Sequence, residues 1–173
     1  MATGSAGRTE DRFAMVNGVR LHYRETLGEG GPLLCLHGIT SNARAWDGLA
    51  LELAPEYHVL APDLRGRGDS DKPSEGYGLA THVADAVALL DHLGVARTVV
   101  IGHSLGALIG MTFAATHPDR VSRLVLVDHG VNTPPGTIEA LRPFWARLTR
   151  EYSSWEDFLE AMRPSPAYPR WTP

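Results

Sequence analysis

The chain has 173 residues, enough for one domain with a sizeable core, and is 43% hydrophobic and 21% charged. A net charge of −4 with no basic block argues against a nucleic-acid surface, and the single cysteine, Cys35, rules out an internal disulfide and C-x-x-C chemistry. Residues 1–12, MATGSAGRTEDR, are small and polar with no apolar signal core, and no run approaches the roughly 18 apolar residues of a membrane span, so a cytoplasmic protein behind a disordered tail is expected.

After the tail, FAMVNGVRLHYRE reads as a hairpin whose two alternating strands flank Asn17-Gly18, a pair that accepts the positive φ angles of a tight turn. PLLCLHG is a short continuous apolar run, the pattern of a strand buried on both faces. NARAWDGLALELA has helical spacing through Trp46, Leu49 and Leu53, and YHVLAPD is a second buried strand. A polar, glycine-rich loop, LRGRGDSDKPSEGYG, leads to LATHVADAVALLDHLG, a helix with Val83, Val87 and Leu90 on one stripe and Gly94 as its stop. RTVVIG is a third buried strand, SLGALIGMTFAATHP a helix ended at Pro118, and VSRLVLVD a fourth strand. Buried strands alternating with helices predict an α/β fold: a mostly parallel sheet with the leading antiparallel hairpin on its edge. Ligands on such sheets bind beyond the carboxyl ends of the strands, where His37-Gly38, Asp63, Ser104 and Asp128 fall.

From Gly130 the character changes. GVNTPPG is a loop, and TIEALRPFWARLTREY and SSWEDFLEAMRP have amphipathic helical spacing, the first interrupted by Pro143. More than half of the aromatic residues lie beyond residue 138. They suit either a surface covering something apolar, with Trp145 as a candidate substrate contact, or an ordinary helical packing face.

Gly102-x-Ser104-x-Gly106 follows RTVVI directly and opens a helix. A strand-to-helix turn that sharp strains the serine backbone and leaves no room for side chains two positions to either side, so glycine is needed at both. The turn lifts the Ser104 hydroxyl above the sheet at the positive end of the helix. The competing reading is a glycine-rich turn with a capping serine, as in nucleotide-binding folds, but no G-x-G-x-x-G or G-K-[ST] occurs. A serine nucleophile passes through an oxyanion that needs two N–H donors. Leu105 supplies one, and the loop after LLCLHG the other, at Ile39 with Thr40 as the neighbouring alternative and Gly38 giving the backbone freedom. His37, Gly38 and His103 at these positions are candidate substrate contacts, although a histidine at a strand end commonly just holds loop carbonyls.

His37-Gly38, APDLRGRGDSDKP, VVIGHSLGALIGM and HPDRVSRLVLVD, in this order and at these spacings, resemble the α/β-hydrolase superfamily, in particular its cap-bearing group of esterases, lactonases, C–C bond hydrolases, haloperoxidases and epoxide hydrolases. The resemblance covers residues 13–131 and implies the first six strands of that fold, with 132–173 as the start of a helical cap. It also implies a cofactor-free serine hydrolase of a small, largely apolar substrate, acting through an acyl-enzyme. Epoxide hydrolases and haloalkane dehalogenases of the superfamily carry aspartate where this chain has Ser104, which disfavours those two chemistries. The family's triad runs Ser, Asp or Glu, then His. Asp128 is either the acid or a loop anchor. None of the eight histidines takes the place of the base, His129 being the least implausible, and no H-E-x-x-H spacing suggests a metal. The chain therefore reads as the N-terminal portion of a hydrolase. The strand RLVLVD would leave an apolar sheet edge for the remaining portion, or a second copy of the chain, to cover. The alternative function is a non-catalytic binding protein that keeps the sheet and pocket.

Overall fold

A computed structural model describes residues 7–129, 135–148 and 150–162. The chain divides into two compact units, 1–130 and 131–173.

The first unit is built on a six-stranded sheet. The strands are β1 (Thr9–Val16), β2 (Val19–Thr26), β3 (Pro32–Leu36), β4 (His58–Pro62), β5 (Thr98–His103) and β6 (Val121–Val127), in the order β1-β2-β4-β3-β5-β6. β1 and β2 pair antiparallel, as do β2 and β4, and every pairing from β4 to β6 is parallel. The mostly parallel sheet with a leading hairpin is thus the one expected. Asn17 and Gly18 both have positive φ, 48° and 76°, at the hairpin turn. β1 starts at Thr9, inside the stretch read as tail. Its polar residues find cross-strand partners on β2 that a sequence window cannot see: the Thr9 hydroxyl bonds that of Thr26, and Arg12 pairs with Glu25.

The helices of this unit are α1 (Asp47–Leu53), α2 (Leu79–His92) and α3 (Leu105–Thr116). β3 and β4 are buried on both faces, as their continuous apolar runs require. Leu34, Leu36, Leu60 and Val100 pack with Val83, Leu89 and Leu90 of α2 and Ile109 and Phe113 of α3. Leu33, Cys35, Val59 and Ala61 point the other way, onto Trp46 and Ala50. Among the described residues β6 pairs with β5 alone, and Val125 and Val127 on it are 46% and 40% exposed.

The chain leaves β3 for β4 on one side and later returns to β3's other side as β5. The carboxyl ends of β3 and β5 therefore flank the sheet's topological switch point, with Leu36 in register with Gly102. The second unit contains α4 (Thr137–Leu148), with Pro143 inside it, and α5 (Trp155–Met162). Trp155 stacks on Phe158, which meets Tyr152 edge-on, so part of the aromatic enrichment packs within this unit. No helix among the described residues is long and apolar enough to cross a membrane.

Candidate active site

Ser104 joins β5 to α3 with φ 50° and ψ −111°, a conformation that costs a non-glycine residue about 1–3 kcal/mol. Backbone bonds on both sides hold it there. Its N–H donates to the Val127 carbonyl at the end of β6 (3.1 Å), and its own carbonyl accepts from Ala107 and Leu108 (3.0 and 3.2 Å). Ser104 occupies the N-cap position of α3, but its hydroxyl makes no capping bond to that helix, unlike the capping serine of the competing reading.

Both flanking glycines are required by contact. A Cβ on Gly102 would lie 2.2 Å from the Gly106 carbonyl oxygen, and one on Gly106 would lie 2.0 Å from that of Leu36. The turn is thereby pressed against the end of β3. A Cβ on Gly38 would stand 3.5 Å from the Ser104 Cβ and 2.8 Å from His103 Nδ1, so the loop after β3 lies directly on the serine.

That loop is fixed from beneath. His37 is fully buried; its Nδ1–H donates to the Gly38 carbonyl (2.7 Å) and its Nε2 accepts the Leu64 N–H (3.0 Å). The Leu64 amide can only donate, which sets the tautomer, and burial pushes the His37 pKa down so that the ring stays neutral. The Gly38 carbonyl also accepts from the Ser41 N–H at 3.2 Å. Two donors thus orient the peptide plane whose other end is the Ile39 N–H. The Ile39 carbonyl, in turn, accepts from Arg67 Nε at 3.3 Å. The Leu105 amide opens α3, where no intrahelical acceptor exists for it. The site therefore gathers Gly38, Ile39, His103, Ser104 and Leu105. Both ring nitrogens of the buried His37 are thus engaged in holding the loop.

Asp128 has φ 50° and an exposed side chain, with Oδ2 3.6 Å from His103 Nε2, beyond hydrogen-bond distance. It is bonded to no base among the described residues. Trp145 is half-buried on α4 in the second unit. No described histidine bonds the Ser104 hydroxyl. His22 is buried between Asp63 and Asp11, His58 bonds Glu25, and His82 is buried on α2.

The polar scaffold under the site had left little trace in sequence. Buried Asp63, at the end of β4, accepts from the Ala43 and Asp69 amides (2.6 and 2.8 Å) and contacts His22 Nδ1 (2.8 Å). His22, Asp63 and Asp69 are the one group of potential metal ligands among the described residues, and the two Asp63 carboxylate oxygens already accept from these donors. Arg65 forms a buried bidentate pair with Asp85 at 2.6 and 2.7 Å, with Asn17 adding a third bond to that carboxylate (3.0 Å). The D-x-R-G-x-G-x-S stretch, residues 63–70, carries part of the family resemblance, and only its glycines hint that the loop folds back on the Asp63 carboxylate.

A strained serine at a strand–helix turn, opposed by a glycine turn at the switch point, is the architecture of an α/β hydrolase. Residues 31–155 match the family model described as the alpha/beta hydrolase fold, and the chain belongs to that family. Among its relatives, a soluble epoxide hydrolase of a Corynebacterium species is 42% identical over 127 residues, 73% of this chain and 43% of that protein. A 2-(acetamidomethylene)succinate hydrolase of Mesorhizobium japonicum is 37% identical over 139 residues, 80% of this chain and 49% of that one. The solved α/β hydrolase of Novosphingobium aromaticivorans superposes with a TM-score of 0.85 at 38% identity, covering 98% of this chain and 61% of that one. The chain thus spans less than half the length of both sequence relatives. They support a hydrolase.

Proposed function

We propose that the protein is a serine hydrolase acting through Ser104 on an ester, lactone or activated C–C bond of a small, largely apolar substrate. The observation that carries this reading is the strained, uncapped Ser104 with the Gly38–Ile39 turn against its Cβ. Oγ attacks the carbonyl carbon, its proton passes to a base, and the N–H groups of Ile39 and Leu105 hold the oxyanion. The tetrahedral intermediate then expels the leaving group, which takes up the proton, and water hydrolyses the acyl-serine. No cofactor enters these steps.

The base is assigned to the part of the fold that the relatives have and this chain does not span. The same portion, or a second copy of the chain, would cover the open β6 edge.

Epoxide hydrolysis is disfavoured despite the relative's name. An attacking carboxylate gives an ester that water can cleave at its carbonyl, whereas a serine hydroxyl would give a stable ether. A p-nitrophenyl ester tests the reading: Ser104→Ala should abolish the protein-dependent rate, and equal rates would remove the nucleophile. The absence of a hydrogen-bonded base among the described residues favours a second reading, a binding protein that keeps the pocket. Ligand binding without Ser104-dependent turnover would support that one.

A further inference from the structure

In residues 7–129 the buried and half-buried arginines are paired with carboxylates, with one exception. Arg24 pairs with Asp11 and Asp47, Arg65 with Asp85, and Arg120 with Asp91. Half-buried Arg67 has no carboxylate partner among the described residues. Its Nε–H donates to the Ile39 carbonyl (3.3 Å) and an Nη1–H to the Arg65 carbonyl (3.0 Å). The Tyr77 ring lies 5.8 Å from Cζ. Two of the five guanidinium N–H groups are used in this way, and neither on Nη2 has a hydrogen-bond partner among the described residues. The two carbonyls set the plane of the fork and so leave its Nη2 edge for an incoming anion. Burial also pulls the Arg67 pKa below the ordinary arginine value, as expected for a cation that has lost water without gaining an anion.

The position gives this cation a use. It grips the carbonyl of Ile39, whose amide holds the oxyanion in the reading proposed above, on which this inference rests. We propose that Arg67 is a carboxylate subsite beside the Ile39 turn, so that the substrate is an ester or related acyl compound whose acyl group ends in a free carboxylate. The carboxylate would accept from the Nη2 edge while the carbonyl under attack points at the Ile39 and Leu105 amides. The two groups are joined through one residue's backbone, the guanidinium and three hydrogen bonds, a path of at most about 15 Å, so a short diacid is the first acyl chain to test. The rest of the acyl chain stays apolar.

The test compares mono-p-nitrophenyl glutarate with the neutral p-nitrophenyl pentanoate on the wild-type protein, Arg67→Gln, Arg67→Lys and Ser104→Ala. The wild type is expected to prefer the glutarate ester. Arg67→Gln should lower kcat/KM for the glutarate ester about tenfold more than for the pentanoate, the loss expected for one charge-assisted contact, with Arg67→Lys recovering part of it. No wild-type preference, or an equal loss on both esters, would overturn the subsite and leave Arg67 as a brace for the turn. Undiminished turnover by Ser104→Ala would instead overturn the serine mechanism. The subsite is read independently of catalysis by calorimetric titration of monomethyl glutarate into Ser104→Ala. Binding about tenfold tighter than to Ser104→Ala/Arg67→Gln supports it, and equal or undetectable binding to both rejects it.

Discussion

Alanine at Gly106 should destabilise the protein and, in doing so, pull the site apart. The new Cβ would stand 2.0 Å from the Leu36 carbonyl oxygen and 2.5 Å from its carbon. An ordinary carbon–oxygen contact is about 3.3 Å, so α3 and β3 must separate by about 1 Å. Overpacking of a filled core typically costs about 1–3 kcal/mol, and here the obstacle is backbone that cannot rotate away, which puts the cost at or above the top of that range. Alanine's better helix propensity offsets about 1 kcal/mol, leaving a net loss of about 2–3 kcal/mol. With a urea slope of about 1–3 kcal/mol/M, the unfolding midpoint should fall by roughly 0.7–3 M. Gly110→Ala is the control: its Cβ would meet only Leu124 Cδ1 and Val100 Cγ1, at 3.0 and 3.3 Å, side-chain ends that can yield. Its midpoint should move far less. A Gly106→Ala protein as stable as the wild type, or equal losses in the two variants, would refute the close approach of helix and strand.

Three further outcomes are expected. Asp85→Ala strands the buried Arg65 guanidinium and the Asn17 amide; loss of one partner from such a pair costs about 3–5 kcal/mol, measurable by thermal or urea unfolding, and a loss under 1 kcal/mol would show that water replaces the carboxylate. Burial, then the charge of Arg67, lower the His82 pKa from 6.5 to about 4, so the unfolded chain binds the extra proton between these values. Stability should therefore decline as pH falls from 6.5 towards 4, by on the order of 2 kcal/mol after allowance for screening, and His82→Gln should flatten that slope in urea titrations at several pH values. Lysine at Val125, on the exposed face of edge strand β6, should suppress association of the protein at high concentration; unchanged light scattering would show that this surface is not the contact.

The sheet was legible because β3, β4 and β5 are short apolar runs between helical patterns, and because Asn17-Gly18 marks a hairpin whatever surrounds it. The strand-to-helix turn at Ser104 was legible because three residues carry its whole requirement: the serine at φ 50° and two glycines pressed on carbonyl oxygens. Long-range polar pairing could not be read. Arg65 and Asp85 sit twenty positions apart, one in a loop and one on α2, and nothing local distinguishes that aspartate from a solvated one. His22 resembled a residue of an ordinary half-buried strand, yet Asp63, forty-one positions away, and Asp11 enclose it. β1 begins four residues before the alternating pattern because Asp11 and Arg12 find partners on β2, in Arg24 and Glu25, besides the pairs that Arg8 and Arg12 make with neighbouring Glu10.

The central claim is that the fold holds the Ser104 hydroxyl against two free backbone amides. A fluorophosphonate probe followed by peptide mass spectrometry addresses it directly, since the phosphonyl oxygen occupies the place of the oxyanion. Adduct on Ser104 in the native protein, formed slowly, accelerated by added imidazole as an external base, and lost in urea and in Ser104→Ala, is the predicted result. A cooperatively folded sample that takes no probe even with imidazole, or takes it on another residue, would contradict it.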